Sequence, residues 1–156
     1  MELTILQLLT PENIITSLSA PDAKTTIQQL SEMLTNSGCV VEGFSDDVWH
    51  REQFFPTGLP TSPYGVAIPH ADPDHVLKSS IAIGILTKPV LFDQMASDHS
   101  EQVQAWIVFL MAITDKEKQI STLQEIIDLV KIPGLIDKLI AANSPQEIIT
   151  HLSTID

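Results

Sequence analysis

With 156 residues, 44% of them hydrophobic, the chain can bury one real core and is too short for two ordinary domains, so one domain over residues 1–156 is expected. Eight basic against twenty acidic residues give a formal charge of −12, which repels nucleic acid and anionic lipid and favours an electropositive protein partner. The apolar run Trp106–Ile113 is far short of the roughly 20 residues a membrane helix needs, and no basic, apolar leader opens the chain. A cytosolic protein without membrane insertion is therefore expected.

In chain order, a short N-terminal segment leads to a strand over Asn13–Leu18. Ser19 can cap a helix with Pro21 and Asp22 in its first turn; Ile27, Leu30 and Leu34 then fall on one face until Gly38 stops it. The apolar neighbours Val40 and Val41 make the single cysteine, Cys39, a buried structural thiol, and one cysteine excludes an intramolecular disulfide. A second helix starts at Ser45, with Asp46 and Asp47 where the helix dipole favours negative charge, and stops near Pro56. Three prolines and a glycine between Pro56 and Pro63 predict irregular chain, followed by a short apolar strand, Val66–Ile68.

Ile81–Leu86 and Val103–Met111 are nearly continuous in apolar residues, the pattern of central strands covered on both faces. Trp49, Trp106, Phe109 and Met111 lie in or beside such segments and read as core. Lys116–Val130 is an amphipathic helix, Leu135–Ala141 a short one, and Ser144, Pro145 and Glu147 open the last. Together these predict a single-domain α/β sandwich with a mixed, mainly parallel central sheet flanked by helices on both faces.

The chemical inventory is short: five histidines, one arginine, and neither GxGxxG nor GxxxxGK[ST]. Any phosphate must be handled by side chains. His70 ends the run Gly65-Val66-Ala67-Ile68-Pro69-His70 and so stands at a sheet end, where an imidazole with one nitrogen held by a hydrogen bond is a good nucleophile near neutral pH. By position alone, an ordinary surface histidine in a loop is the favoured reading. Arg51 ends the second helix and can bind two phosphate oxygens at once; the competing reading is an ion pair with Glu52 or Asp47. Thr57 and Gly58 offer a hydroxyl and an unobstructed amide to an anion, or simply make the turn. His70, Asp72, Asp74 and His75 raise a rival, metal-dependent hydrolysis, but their spacing matches no established zinc or calcium pattern. His50, His99 and His151 have no visible convergent partner.

Arg51-Glu52, Pro56-Thr57-Gly58 and Gly65-Val66-Ala67-Ile68-Pro69-His70-Ala71 together resemble the signature of the type-2 IIA domains of the bacterial phosphoenolpyruvate-dependent sugar phosphotransferase system. The resemblance extends over nearly the whole chain. It implies that His70 accepts phosphate, through Nε2, from the phosphocarrier HPr and passes it to a cysteine of a IIB subunit feeding a membrane IIC transporter, with no cofactor or metal. It also implies that Arg51 pairs with the phosphoryl group and that Glu52 positions that arginine or the loop. Around His70 it implies an apolar patch with an acidic rim, matched to a carrier with a basic face.

Many members carry a second histidine at the start of the helix after the last central strand. Here Gln119-Ile120-Ser121-Thr122-Leu123 occupies that pattern, so Gln119 stands in its place, able to donate a hydrogen bond to phosphate but not to become cationic. Gln119 and the segment Phe55–Gly58 are similar to the galactitol branch. A regulatory IIA-like protein, signalling by the phosphorylation state of His70, is the alternative within the same family.

Overall fold

The structure, a computed structural model, describes residues 4–155. Its strands are β1 (Ile14–Leu18), β2 (Gly58–Leu59), β3 (Gly65–Ala67), β4 (Ser80–Asp93) and β5 (Gln102–Ala112). The helices are α1 (Ala23–Asn36), α2 (Phe44–Phe54), α3 (Lys116–Val130), α4 (Leu135–Ala141) and α5 (Pro145–Ser153), with single 3-10 turns at Thr4–Leu8, Pro11–Asn13 and Pro73–His75. The five strands form one sheet in the order β1-β4-β5-β3-β2.

The alternation of side chains along β4 and β5 divides the core. Ile81, Ile83, Ile85, Ile107, Phe109 and Met111 join the apolar faces of α3, α4 and α5 on one side. Ala82, Leu86, Val108, Leu110 and Ala112 join α1 and α2 on the other. Small residues bring α1 close on that second face: a Cβ on Gly84 would stand 2.7 Å from Leu18 and 3.2 Å from Leu30. The expected α/β sandwich is thus present, and Cys39 is buried within it. Phe109 and Met111 are in the core, whereas Trp49 and Trp106 are half-buried at its edges.

The expected parallel majority is absent. The β1–β4 and β3–β5 pairings are parallel, but β2–β3 and the long β4–β5 ladder are antiparallel. The reason is a short turn after Asp93 that folds β5 back on β4, where the apolar runs read equally well as two crossover-linked strands. β4 also continues seven residues past the expected Leu86 to Asp93, its register shifting between Ile85 and Val90. Pro89, which has no N–H to donate, lies inside that shift.

Helix starts differ slightly from expectation. Asp22 rather than Ser19 caps α1, its carboxylate accepting from the Thr25 N–H at 2.7 Å. Gly43, at φ 103°, turns the chain into α2 one residue before Ser45. Ser144 caps α5 as expected, accepting from the Glu147 N–H.

Candidate active site

β3 runs parallel to β5, so both deliver their C-terminal ends to the same edge of the sandwich. There Ile68 and Pro69 carry the chain past the end of β3, the Met111 N–H donates to the Pro69 carbonyl at 3.0 Å, and His70 bridges to Met111. β5 then leads directly into α3, which brings Gln119 over the same loop.

His70 is 7% exposed. Its Nδ1 lies 2.9 Å from the Ile68 carbonyl oxygen, which can only accept, so Nδ1 carries the proton and Nε2 carries the lone pair. Nε2 makes no hydrogen bond to any described residue and is not sealed from solvent. Burial pushes the His70 pKa below the ordinary histidine value; the Ile68 contact opposes this, Arg51 adds to it, and Asp72 opposes it. The neutral imidazole is therefore the favoured form.

Behind His70 stands a buried relay. Glu52, 6% exposed, accepts from the Thr57 N–H at 2.8 Å through one oxygen and from the Thr57 hydroxyl at 2.8 Å through the other. Thr57 Oγ1 in turn accepts from the Ile68 N–H at 3.2 Å, and the Ile68 carbonyl holds His70. Burial raises the Glu52 pKa to about 7, against the lowering effect of the two Thr57 contacts. Of the two roles foreseen for Glu52, it holds the loop and makes no hydrogen bond to Arg51. Thr57 is buried at 3% exposure with its hydroxyl hydrogen given to Glu52, so it does not present that donor to an anion as expected.

Gly58 is drawn into a strand and not left in an open turn. It lies in β2, and a Cβ there would stand 2.7 Å from the Asp93 carbonyl oxygen.

Arg51, in the last turn of α2, lies with its guanidinium 5.1 Å from the centre of the Phe55 ring. Its ion-pair partner is Asp72, at 3.8 Å, and not Glu52 or Asp47. The Arg51 Nε is buried without a hydrogen-bond partner among the described residues. Gln119 is 7% exposed and donates Nε2–H to the Ala71 carbonyl at 2.5 Å. Of the five expected site residues, His70 lies within Ile68–Asp72, Arg51, Thr57 and Gln119 contact that segment, and Glu52 reaches it through Thr57.

Alongside it lies a cleft of about 300 Å³ bordered by Arg51, Phe54, Phe55, Asp72 and Asp74, the two phenylalanines being 64% and 62% exposed.

Lys116 was not singled out from the sequence; its Nζ lies 3.9 Å from the Asp72 carboxylate. A signal existed in its spacing, since a residue three before Gln119 on a helix shares its face. The rival metal cluster does not assemble. His75 pairs with Asp47, Asp72 faces Arg51 and Lys116, and His70 Nδ1 is held by a carbonyl. No group of three or more metal-ligating side chains converges among the described residues.

Residues 7–155 match the family model described as the EIIA 2 component of the phosphoenolpyruvate-dependent sugar phosphotransferase system. The chain belongs to this EIIA type 2 family. A galactitol-specific EIIA component from Escherichia coli is 28% identical over 123 residues, covering 74% of this chain and 81% of that protein. Among solved structures, the mannitol IIA of Escherichia coli superposes with a TM-score of 0.77 at 24% identity, covering 92% of this chain and 98% of that one. The complex of mannitol IIA with phosphorylated IIB from the same organism gives 0.74 at 24% identity, with 94% and 98% covered. This EIIA type 2 chain has the fold of those proteins, and no helix among its described residues is long and apolar enough to cross a membrane.

Proposed function

We propose that this EIIA type 2 protein is a cytosolic phosphocarrier in which His70 accepts phosphate from HPr and hands it to a cysteine of a IIB partner, which feeds a membrane IIC transporter. The observation that carries this reading is the buried imidazole whose Nδ1–H is held by the Ile68 carbonyl, leaving Nε2 as the nucleophile.

In the step proposed, the Nε2 lone pair forms a bond to phosphorus as the donor's P–N bond breaks and its electron pair returns to the donor imidazole. The Nδ1 proton stays on His70. As the ring gains positive character, the Nδ1–H bond to Ile68 strengthens, so it stabilises the transition state more than the ground state. The phosphoryl group moves as a charge-dispersed unit, and catalysis is then mainly a matter of positioning and neutralising its oxygens. Arg51 provides the neutralising charge, the Glu52–Thr57 relay holds Ile68, and Gln119 holds the loop at Ala71.

The exposed Phe54 and Phe55 beside the acidic Asp72 and Asp74 suit a docking surface for a basic carrier, used in turn by donor and acceptor. Galactitol or a related sugar is the proposed transport substrate, supported by the galactitol-specific relative and by Gln119 in place of a histidine.

The deciding experiment incubates the protein with phosphoenolpyruvate, enzyme I and HPr and measures its mass. An acid-labile phosphate on the wild type and none on His70→Ala is expected; equal labelling of both eliminates the proposal. Onward transfer to galactitol IIB in preference to mannitol IIB tests the sugar, and equal transfer to both argues against it.

A further inference from the structure

One carboxylate oxygen faces two cations at the mouth of the site. Asp72 Oδ1 lies 3.8 Å from Arg51 Nη1 and 3.9 Å from Lys116 Nζ. The cations come from opposite layers of the sandwich: Arg51 ends α2 on one face of the sheet, and Lys116 opens α3 on the other. Asp72, two residues after His70, sits where the layers meet.

Neither contact is a hydrogen bond at these distances, and the side chains are 34%, 52% and 69% exposed for Arg51, Asp72 and Lys116. Such pairs are weak and easily exchanged. The Arg51 Nε–H is buried with no acceptor among the described residues, so Asp72 is held through the guanidinium tip alone.

We propose that Lys116 is a second cation for the phosphoryl group on His70, and that Asp72 is the resting counter-anion which Arg51 and Lys116 exchange for that phosphoryl group. This rests on the reading of His70 as the phosphate carrier. A phosphoryl group near neutral pH carries close to two negative charges on three oxygens and outcompetes a single carboxylate for both cations. No covalent bond to Asp72 or Lys116 forms or breaks; only ion pairs exchange.

Asp72 has two effects in this scheme. In the resting protein it partly neutralises the cationic gap, so that free phosphate does not fill it. In the phosphorylated protein it stands beside the new dianion and repels it, which keeps the group transferable. Lys116 works in the opposite direction. The two positions therefore set the transfer equilibrium, and their substitutions have opposite signs, which general damage to the fold would not produce.

The test equilibrates wild type, Asp72→Asn and Lys116→Gln with a fixed ratio of phosphorylated and free HPr and measures the acid-labile phosphate on each by mass. Asp72→Asn is expected to shift the equilibrium about three- to tenfold toward the phosphorylated protein, and Lys116→Gln by a similar factor away from it. Unchanged equilibria, or shifts in the same direction, overturn the proposal. Absence of phosphate from His70 in the wild type refutes the carrier reading instead.

Titration of the unphosphorylated proteins with inorganic phosphate, followed by NMR of the arginine and lysine side chains, decides the resting arrangement independently. Tighter binding by Asp72→Asn, lost in the Asp72→Asn/Lys116→Gln double variant, is expected. Equal binding by wild type and Asp72→Asn overturns the counter-anion role.

Discussion

Thr57→Val tests the relay behind His70 with little change of shape, because it replaces a hydroxyl by a methyl at a residue only 3% exposed. Two groups lose their partner: the buried Ile68 N–H, which donates to Thr57 Oγ1, and one oxygen of Glu52, which accepts from that hydroxyl. An unpaired buried amide costs about 1–3 kcal/mol and the lost hydrogen bond to the Glu52 carboxyl about 1 kcal/mol more, so a total of about 2–4 kcal/mol is expected. With a urea slope near 2 kcal/mol/M, the unfolding midpoint should fall by about 1–2 M.

Ile68 also holds the His70 Nδ1–H, so the rate of phosphoryl transfer should fall on the order of tenfold as the imidazole loses its alignment. Thr57→Ser, which keeps the oxygen, should restore most of both. Urea melts and single-turnover transfer from phosphorylated HPr measure the two effects. A Thr57→Val protein whose midpoint lies within about 0.2 M of wild type, with an unchanged transfer rate, would refute the relay.

Glu52 should leave a mark on stability against pH. Its folded pKa of about 7 lies above the ordinary 4.5, so the folded chain holds this proton more tightly than the unfolded one; the contribution is full below pH 4.5 and is lost as pH rises through 7. It amounts to about 3 kcal/mol, and Glu52→Gln should flatten that part of the curve in urea melts from pH 4 to 8. Arg51→Lys keeps the charge but loses the planar fork, and rapid-quench kinetics should show transfer slowed on the order of tenfold. Gln119→Leu leaves the Ala71 carbonyl without its donor and should cost about 1–2 kcal/mol in thermal melts, with Gln119→His recovering part of it. Gly58→Ala should destabilise by about 1–3 kcal/mol, because its Cβ would meet the Asp93 carbonyl oxygen at 2.7 Å and a backbone atom cannot swing aside.

The layers of the fold were legible because burial imposes a period. The apolar residues of β4, β5, α1 and α3 repeat at the intervals their elements require, so strand and helix identities could be read directly. Relative strand direction has no such period. An eight-residue turn and a long crossover both join apolar runs, and only tertiary pairing shows that β4 and β5 form a hairpin. β2 was hidden for a related reason: two residues of antiparallel pairing between prolines carry too little pattern to rise above a loop.

The site was legible as a set of positions and much less so as a set of roles. Arg51, Glu52, Thr57, His70 and Gln119 all reach Ile68–Asp72, yet the sequence could not show which atoms they would satisfy. Thr57 looked like a donor because a threonine in a breaker-rich loop is usually solvated; Glu52 instead turns inward and takes that hydrogen.

Asp72 looked like part of an acidic cluster because Asp74 and His75 follow it so closely. Pro73 and the 3-10 turn it opens separate them, so His75 pairs with Asp47 of α2 while Asp72 faces Arg51 and Lys116. The consequence is electrostatic. In a chain of formal charge −12, two of its eight basic residues converge on one carboxylate at the end of the β3–β5 pair. With Asp74 bordering the same cleft, Arg51 and Lys116 are balanced by two carboxylates in the resting protein, and phosphorylation of His70 adds nearly two negative charges. A local charge that turns negative in this way gives a basic partner such as HPr less to hold when the site is empty than when it is loaded. Its affinity should therefore rise on phosphorylation and weaken with salt in both states.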